Sequence, residues 1–450
     1  MHADYPDRHC GSVRIRGSTL HAWIVCLAET EKKGNCQTMS ERKNQNRKDQ
    51  DYAFGPVPKS ARRSFRSMFF ILLGFTFFSA SMSVGARLGN SLDLSGFVLS
   101  VVFGGLFLAC YAGMLAYIGS STGLSFDLLA RKAFGRKGSY LPSFMIALTQ
   151  IGWFGVGLAM FAFPAAETLN MPVLPLILLA GICMTGSAYF GIRGMEFVSV
   201  ISVPMITILG MYSMFRAIGD AGGIQEVFAG SRGGMSLLAG IGLVIGSFIS
   251  GGTATPNFTR FADTNKAAVV SGVIAFFLGN SLMFVFGAVG GAYTGKDDIF
   301  YVMKAQGLIV PALIVLGANV WTTNDNGLYN GGLALSNLTG YDKKPLVIAA
   351  GFLGTAASVW LYENFVSWLI ILNASLPPVG AILILDFLRH RSVYDRNEDP
   401  KDEIRWGAAA GVILGMLAGT LIPWGIGGVN AMIIAVLGDE LVTKLTSKRN

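Results

Sequence analysis

The chain has 450 residues, 52% of them hydrophobic and only 14% charged, with a formal net charge of +8. Its mean hydropathy of +0.52, set against the roughly 25% charged residues of soluble domains, excludes a soluble enzyme, a nucleic-acid binder and a disordered chain. Apolar runs long enough to cross a bilayer recur along it, so the composition describes an all-α polytopic membrane protein whose partner is the lipid bilayer and not nucleic acid.

The first 53 residues stand apart: they are polar, charged and without clear period. Residues 18–28 are mildly apolar but too short to span, and no small-residue cleavage site follows a basic start. Met39 begins MSERKNQNRKDQD, which reads like a bacterial start followed by a polar cytoplasmic tail. Residues 1–53 are thus expected to form a disordered extension, of which 1–38 is a disposable or start-site addition. Residues 54–450 form the membrane domain. Cys10, Cys26 and Cys36 lie in the extension, Cys110 and Cys183 in apolar runs. No pair has metal-ligand spacing, so neither a disulfide framework nor a zinc site is expected.

Twelve spans follow, at about 67–86, 97–119, 141–167, 172–192, 197–217, 235–254, 268–294, 308–336, 345–361, 363–386, 406–423 and 425–444. The connections are short, leaving no room for a soluble catalytic module. With the N-terminus inside, 21 Lys and Arg from residue 59 onward fall on the inner side and 5 on the outer side. This asymmetry predicts cytoplasmic termini and an even span count.

Two spans are wrong for lipid in the same way. Span 1 (ILLGFTFFSASMSVGA) and span 6 (GLVIGSFISGGTA) both cluster Gly and Ser near their middles, where a helix can unwind and present backbone groups to a cavity. Span 8 carries Asn319, Thr322, Thr323, Asn324, Asp325, Asn326 and Asn330, and span 3, five earlier, carries Thr149, Gln150 and Trp153. Matched irregularities five spans apart predict two five-helix inverted repeats, about 67–217 and 235–386, with a midplane site between them. The helices at about 406–444 lie outside the repeat. Single glycines serve close packing as often as unwinding, and buried Asn and Thr are often helix–helix glue. Asp325 reads either as a hydrogen-bonded peg or as a proton carrier.

The blocks FGPVPKSAR (54–62), GFTFFSASM (74–82), QIGWFGVG (150–157), GSFISGGT (246–253), FFLGNSLMF (276–284) and LGANVWTTNDN (316–326) closely resemble the cytosine-carrying branch of the nucleobase–cation symporter-1 family. The similarity runs from about residue 54 to the end. It implies a LeuT-type fold of twelve helices, a bacterial inner-membrane location, and cytosine uptake coupled to a cation, with sodium implied by the nearest members. Another nucleobase, allantoin or a hydantoin, and proton coupling, are the alternatives. Nothing implies an enzyme or an obligate protein partner.

Cytosine is planar and neutral, so its site needs flat apolar faces and a few amides or hydroxyls. Trp153 and Phe248 can sandwich the ring, and Gln150, three residues before Trp153, shares its helix face. Ser247 and Ser250 flank Phe248 in the expected unwound stretch. The resemblance places Gln150, Trp153, Phe248 and Ser250 at substrate-contacting positions, with backbone near Phe78 from the span 1 break. Sodium takes oxygen ligands, and Asn319, Thr322 and Thr323 lie on one helix face at i, i+3 and i+4. The carbonyls of Gly74 and Phe77 would complete a five-oxygen site of the form the family has. A channel would need a continuous polar lining and a membrane enzyme clustered acid–base or metal ligands; the sequence offers neither.

Overall fold

The computed structural model describes residues 51–231, 233–395 and 402–447. The expectations for residues 1–50, including Cys10, Cys26 and Cys36, and for Arg232, Arg396, Lys401, Lys448 and Arg449 lie outside the described residues. Asp51–Ala53, expected in the extension, belong instead to the folded unit that begins at Asp51; the carboxylate of Asp51 has a buried cationic partner, Lys343, which is what fixes the segment.

Helices fill all twelve predicted spans. They are α1 (Phe65–Thr76) with α2 (Ser79–Ser91), α3 (Leu94–Thr122), then a short connecting α4 (Phe126–Phe134), α5 (Tyr140–Leu169), α6 (Val173–Tyr189), α7 (Ile192–Asp220) and α8 (Leu237–Ala254). Next come α9 (Asn265–Ile274) and α10 (Asn280–Thr294), joined by a π turn at Ala275–Gly279, and then α11 (Ile309–Thr339), α12 (Lys343–Glu363), α13 (Phe365–Arg389), α14 (Trp406–Leu421) and α15 (Gly427–Ser447). Six helical segments among the described residues, counting α8 with the turn after it and α9 with α10 as one each, are long and apolar enough to cross a membrane, and the bent α1/α2 pair adds a seventh. α6 and α14 are shorter, and α11 is long enough but diluted by its Asn and Thr. Local chemistry sets several ends. Asp93 accepts the Gly96 N–H at 2.9 Å to start α3. Gly123 and Gly340 close α3 and α11 at φ 71° and 75°, a conformation that strains any residue with a Cβ.

The two irregular spans behave differently. Between α1 and α2 the chain bends by 54° through extended Phe77 and Phe78 (ψ 95° and 134°). Successive side chains of an extended segment point to opposite sides, and these two enter different apolar clusters, Phe78 with Trp153 and Phe77 with Met82 and Phe284. Burial of both rings holds the break open. Span 6, by contrast, does not unwind: α8 is helical throughout Gly246–Thr253, and its break comes at Thr255, just before Pro256 starts a separate turn (Pro256–Thr259). The glycines there serve contact. A Cβ on Gly251 would meet the Phe248 and Phe75 rings, and one on Gly252 the Tyr111 ring.

α2 and α10 cross with their backbones touching. A Cβ on Gly85 would strike the Phe284 carbonyl, and one on Gly287 the Met82 carbonyl. At the level of the α1/α2 break, Gly279, the last residue of the π turn, sits against Leu73 and Thr76 of α1. α14 and α15 pair with each other and pack on α13.

Candidate functional site

The break between α1 and α2 faces α11, and there the oxygens converge. Thr323 Oγ1 donates to the carbonyls of Phe77 at 2.8 Å and Phe75 at 3.2 Å, with the Asn319 carbonyl at 3.5 Å. Thr322 Oγ1 reaches the same Asn319 carbonyl at 3.0 Å. Phe77, Asn319, Thr322 and Thr323 are therefore brought together. Gly74 packs closely against Thr322 and Ser199, and the carbonyls at the break that meet Thr323 are those of Phe75 and Phe77. α1 is still helical at Gly74, and a helical turn aims successive carbonyls about 100° apart. The side chain of Asn319 points elsewhere, its Oδ1 accepting from Ser79 Oγ at 3.0 Å.

The donor set is all neutral oxygen: backbone carbonyls and two hydroxyls, without nitrogen, sulfur or carboxylate. Hard cations take oxygen ligands, and a set without formal charge suits a monovalent ion. The residues present fit a sodium ion.

The predicted base-binding residues lie beside this cluster. Trp153 Nε1 donates to Ser250 Oγ at 3.2 Å, tying α5 to α8. The Trp153 ring meets Phe78 edge-on, with centroids 5.5 Å apart at 76°. Gln150 is 2% exposed and its Nε2 has no hydrogen-bond partner, leaving a buried donor ready for a ligand. The Phe248 ring packs edge-on against Phe75 and Phe276, with centroids 5.2 and 5.7 Å apart. Ser247 Oγ donates to its own helix, to the Val244 carbonyl at 2.8 Å.

The polar run of α11 divides by face. Asn324 Nδ2 donates to the Phe154 carbonyl of α5 at 3.1 Å, Asn326 Nδ2 to the Thr322 carbonyl at 2.5 Å, and Asn330 Oδ1 accepts from Asn257 at 3.0 Å. Asn324 and Asn330 tie α11 to its neighbours, Asn326 bonds within α11, and Asp325, fully buried, accepts from Asn326 at 3.4 Å. One residue had been passed over. Asn280, 0% exposed, follows the π turn with both amide atoms unpartnered. Its signal was present in the sequence, as the one amide in the run FFLGNSLMF.

The two ends of the path differ. Away from the termini, a cavity of about 330 Å³ descends to Ser79 and is lined by Ser83, Arg87, Asp297, Asp298 and Tyr301. Burial raises the Asp298 carboxyl to about 6, against a partial opposing effect of its bonds from the Phe300 N–H and Ser79. On the terminal side, Arg260, 0% exposed, donates to the Asp51 and Tyr52 carbonyls at 2.6 and 2.7 Å and to Tyr329 Oη at 3.0 Å. Lys343 forms a buried ion pair with Asp51 and sits 4.2 Å from the centre of the Tyr329 ring.

A family model described as permease for cytosine/purines, uracil, thiamine, allantoin matches residues 56–436. The cytosine permease of Escherichia coli strain K12 is 45% identical over 403 residues, covering 89% of this chain and 96% of that protein. Among solved structures, Mhp1, a nucleobase-cation-symport-1 family transporter in a closed conformation with bromovinylhydantoin bound, superposes with a TM-score of 0.76 at 19% identity, covering 88% of this chain and 95% of that one. A Na+-coupled sialic acid symporter in a substrate-bound outward-open state follows, with a TM-score of 0.69 at 14% identity over 89% of this chain and 93% of that one. These two likenesses show the fold, the LeuT type with its two inverted five-helix repeats and two added C-terminal helices. From the match across its membrane domain, the chain belongs to the nucleobase–cation symporter-1 family of permeases, membrane transporters and not enzymes.

Proposed function

We propose that the chain imports cytosine by symport with sodium through alternating access, in a bacterial inner membrane with both termini cytoplasmic. The observation that carries the coupling is the oxygen cluster bridging α11 and the α1/α2 break. The substrate rests on the 45% identity with the Escherichia coli permease along 96% of its length. The orientation rests on the 21 to 5 division of Lys and Arg.

Sodium would be held by the carbonyls of Phe77 and Asn319 and the hydroxyls of Thr322 and Thr323, with Phe75 or Gly74 supplying a further carbonyl. The base would stack on Trp153 with Phe248 as its second apolar face, Gln150 and Ser250 reading its polar edge and Ser247 and the backbone near Phe78 lining the site. An aromatic stacked on a base contributes about 1–3 kcal/mol. Ion and base then take neighbouring residues of one extended dipeptide. A cation on the Phe77 carbonyl fixes the backbone angle that places the Phe78 ring, so each ligand prepares the site of the other. Such coupling is reciprocal.

The test is uptake of labelled cytosine into proteoliposomes under separate sodium and pH gradients. The expected result is concentrative uptake that follows sodium. Thr323→Val should lower cytosine affinity in sodium toward the sodium-free value, by about 5–150-fold, and Trp153→Ala should abolish binding in a folded protein. Uptake that ignores sodium and follows pH would transfer the ion role to Asp325. Stronger competition by uracil, allantoin or a hydantoin would replace the substrate.

A further inference from the structure

Between α3, α9 and α13 a groove of about 520 Å³ faces outward, away from the transport path. Its walls include Cys110 and Met114 of α3, Val269 and Val273 of α9, and Phe387 and Leu388 of α13. Met114, Val273 and Leu388 are 43%, 37% and 62% exposed, so the groove stands in contact with lipid. It lies toward the terminal side, where α3 and α13 end and α9 begins.

An apolar groove in a bilayer selects nothing by itself, because a lipid tail gains no hydrophobic energy by leaving other tails. The selecting groups are at its mouth. Arg391 Nη2 donates to Tyr117 Oη at 2.9 Å. Its guanidinium stands 5.8 Å from the ring centre of Tyr117 and 5.9 Å from that of Phe387, both of them groove residues. Lys266 is exposed and precedes Val269 and Val273 by three and seven residues, one helix face, so it rises at the same end. Asn265 beside it accepts from Ser120 Oγ at 2.9 Å, which holds the start of α9 against the end of α3. Two cations therefore flank the terminal-side mouth of an acyl-sized trough.

We propose that this groove binds one acyl chain of an anionic phospholipid whose phosphate lies against Arg391 and Lys266. The aromatic shelf of Tyr117 and Phe387 fixes the guanidinium at headgroup depth, while the apolar walls fix the tail. The inference is independent of the substrate and of the coupling ion.

The test is native mass spectrometry of the full chain released from detergent micelles after titration with dioleoyl phosphatidylglycerol or dioleoyl phosphatidylcholine. The parent should retain one phosphatidylglycerol at concentrations where phosphatidylcholine is stripped. A cation near an anionic lipid surface contributes a factor of about five. Arg391→Gln and Lys266→Gln should each lower phosphatidylglycerol retention by that factor and lower phosphatidylcholine retention less, since its choline cation offsets the phosphate charge. Val273→Trp, which fills the trough, should lower both. The two cation variants alter exposed positions, so they remain decisive if Val273→Trp unfolds. Equal retention of the two lipids by the parent, or unchanged retention in both cation variants, overturns the proposal. So does a lipid-free dimer that Val273→Trp dissociates, since the groove would then be a contact between copies of the chain.

Discussion

The two ends of the path are closed by different means. The end away from the termini is a polar hollow that reaches Ser79, next to the cation cluster. The terminal end is filled by Arg260, Asp51, Lys343 and Tyr329, four side chains from four segments in one hydrogen-bonded and ionic plug. A water-accessible hollow tolerates exposed charges at little energy. A buried plug depends on complete pairing, since a charge left alone in a dry interior is costly. The contrast teaches that the terminal side is the strongly held one in this conformation, and that it is held by electrostatics more than by packing.

The largest expected effect breaks the plug. Lys343→Met removes the cation of this buried pair and should destabilise the protein by about 3–5 kcal/mol. Thermal unfolding in detergent measures it, and the double variant Asp51→Asn/Lys343→Met should recover most of the loss. A single variant as stable as the parent would show that the pair is not what holds this end.

The next prediction probes the hollow. Asp298 is buried and its carboxyl is raised to about 6 from the ordinary 3.8, first by burial and slightly by the charge of Asp297. Between those values the folded protein binds more protons than the unfolded one, so the contribution of this group to stability falls as pH rises through the window. Above pH 6 the destabilisation is complete. Asp298→Asn should flatten that slope, match the parent near pH 4, and exceed it at pH 7.5 by roughly 2–3 kcal/mol. Unfolding temperatures across the pH range check the sign as well as the size.

The smallest effect belongs to the surface beyond Tyr301, on the same side as the hollow. Lys304 and Glu167 pair at 3.1 Å with both side chains partly exposed, and such pairs contribute at most about 1 kcal/mol. Lys304→Gln should shift stability by less than that, and the shift should vanish in high salt. The ratio between this value and that for Lys343→Met measures directly how unlike the two ends are.

Hydropathy placed all twelve spans, because each membrane span must satisfy its own backbone, a constraint written locally in the residues. The α1/α2 break was legible for the same reason, although its register was not: which of Gly74 and Phe75 turns its carbonyl to Thr323 depends on where the helix ends, a matter of one peptide. Span 6 misled because glycine has two uses, and only the neighbouring rings of Phe75, Phe248 and Tyr111 decide between unwinding and contact. The plug was not legible at all. Asp51 and Lys343 stand 292 residues apart, and in the sequence each is one more loop charge. Asn280 was visible but uninterpretable without the π turn before it.

The crossing of α2 and α10 has a mechanical meaning. Where a carbonyl sits in the hollow of a glycine on both sides of a contact, neither rod can slide or roll without lifting off the other. The two must travel as one beam. Each is joined to its inner half by a segment that has lost regular α-helical bonding, Phe77–Phe78 for α2 and Ala275–Gly279 for α10, and these two joints touch at Gly279. The beam therefore has a double hinge with its pivots side by side, beside the cluster of oxygens. An ion or a base arriving there acts on the pivot of a long lever, and a small displacement at midplane becomes a large one at the distant rim.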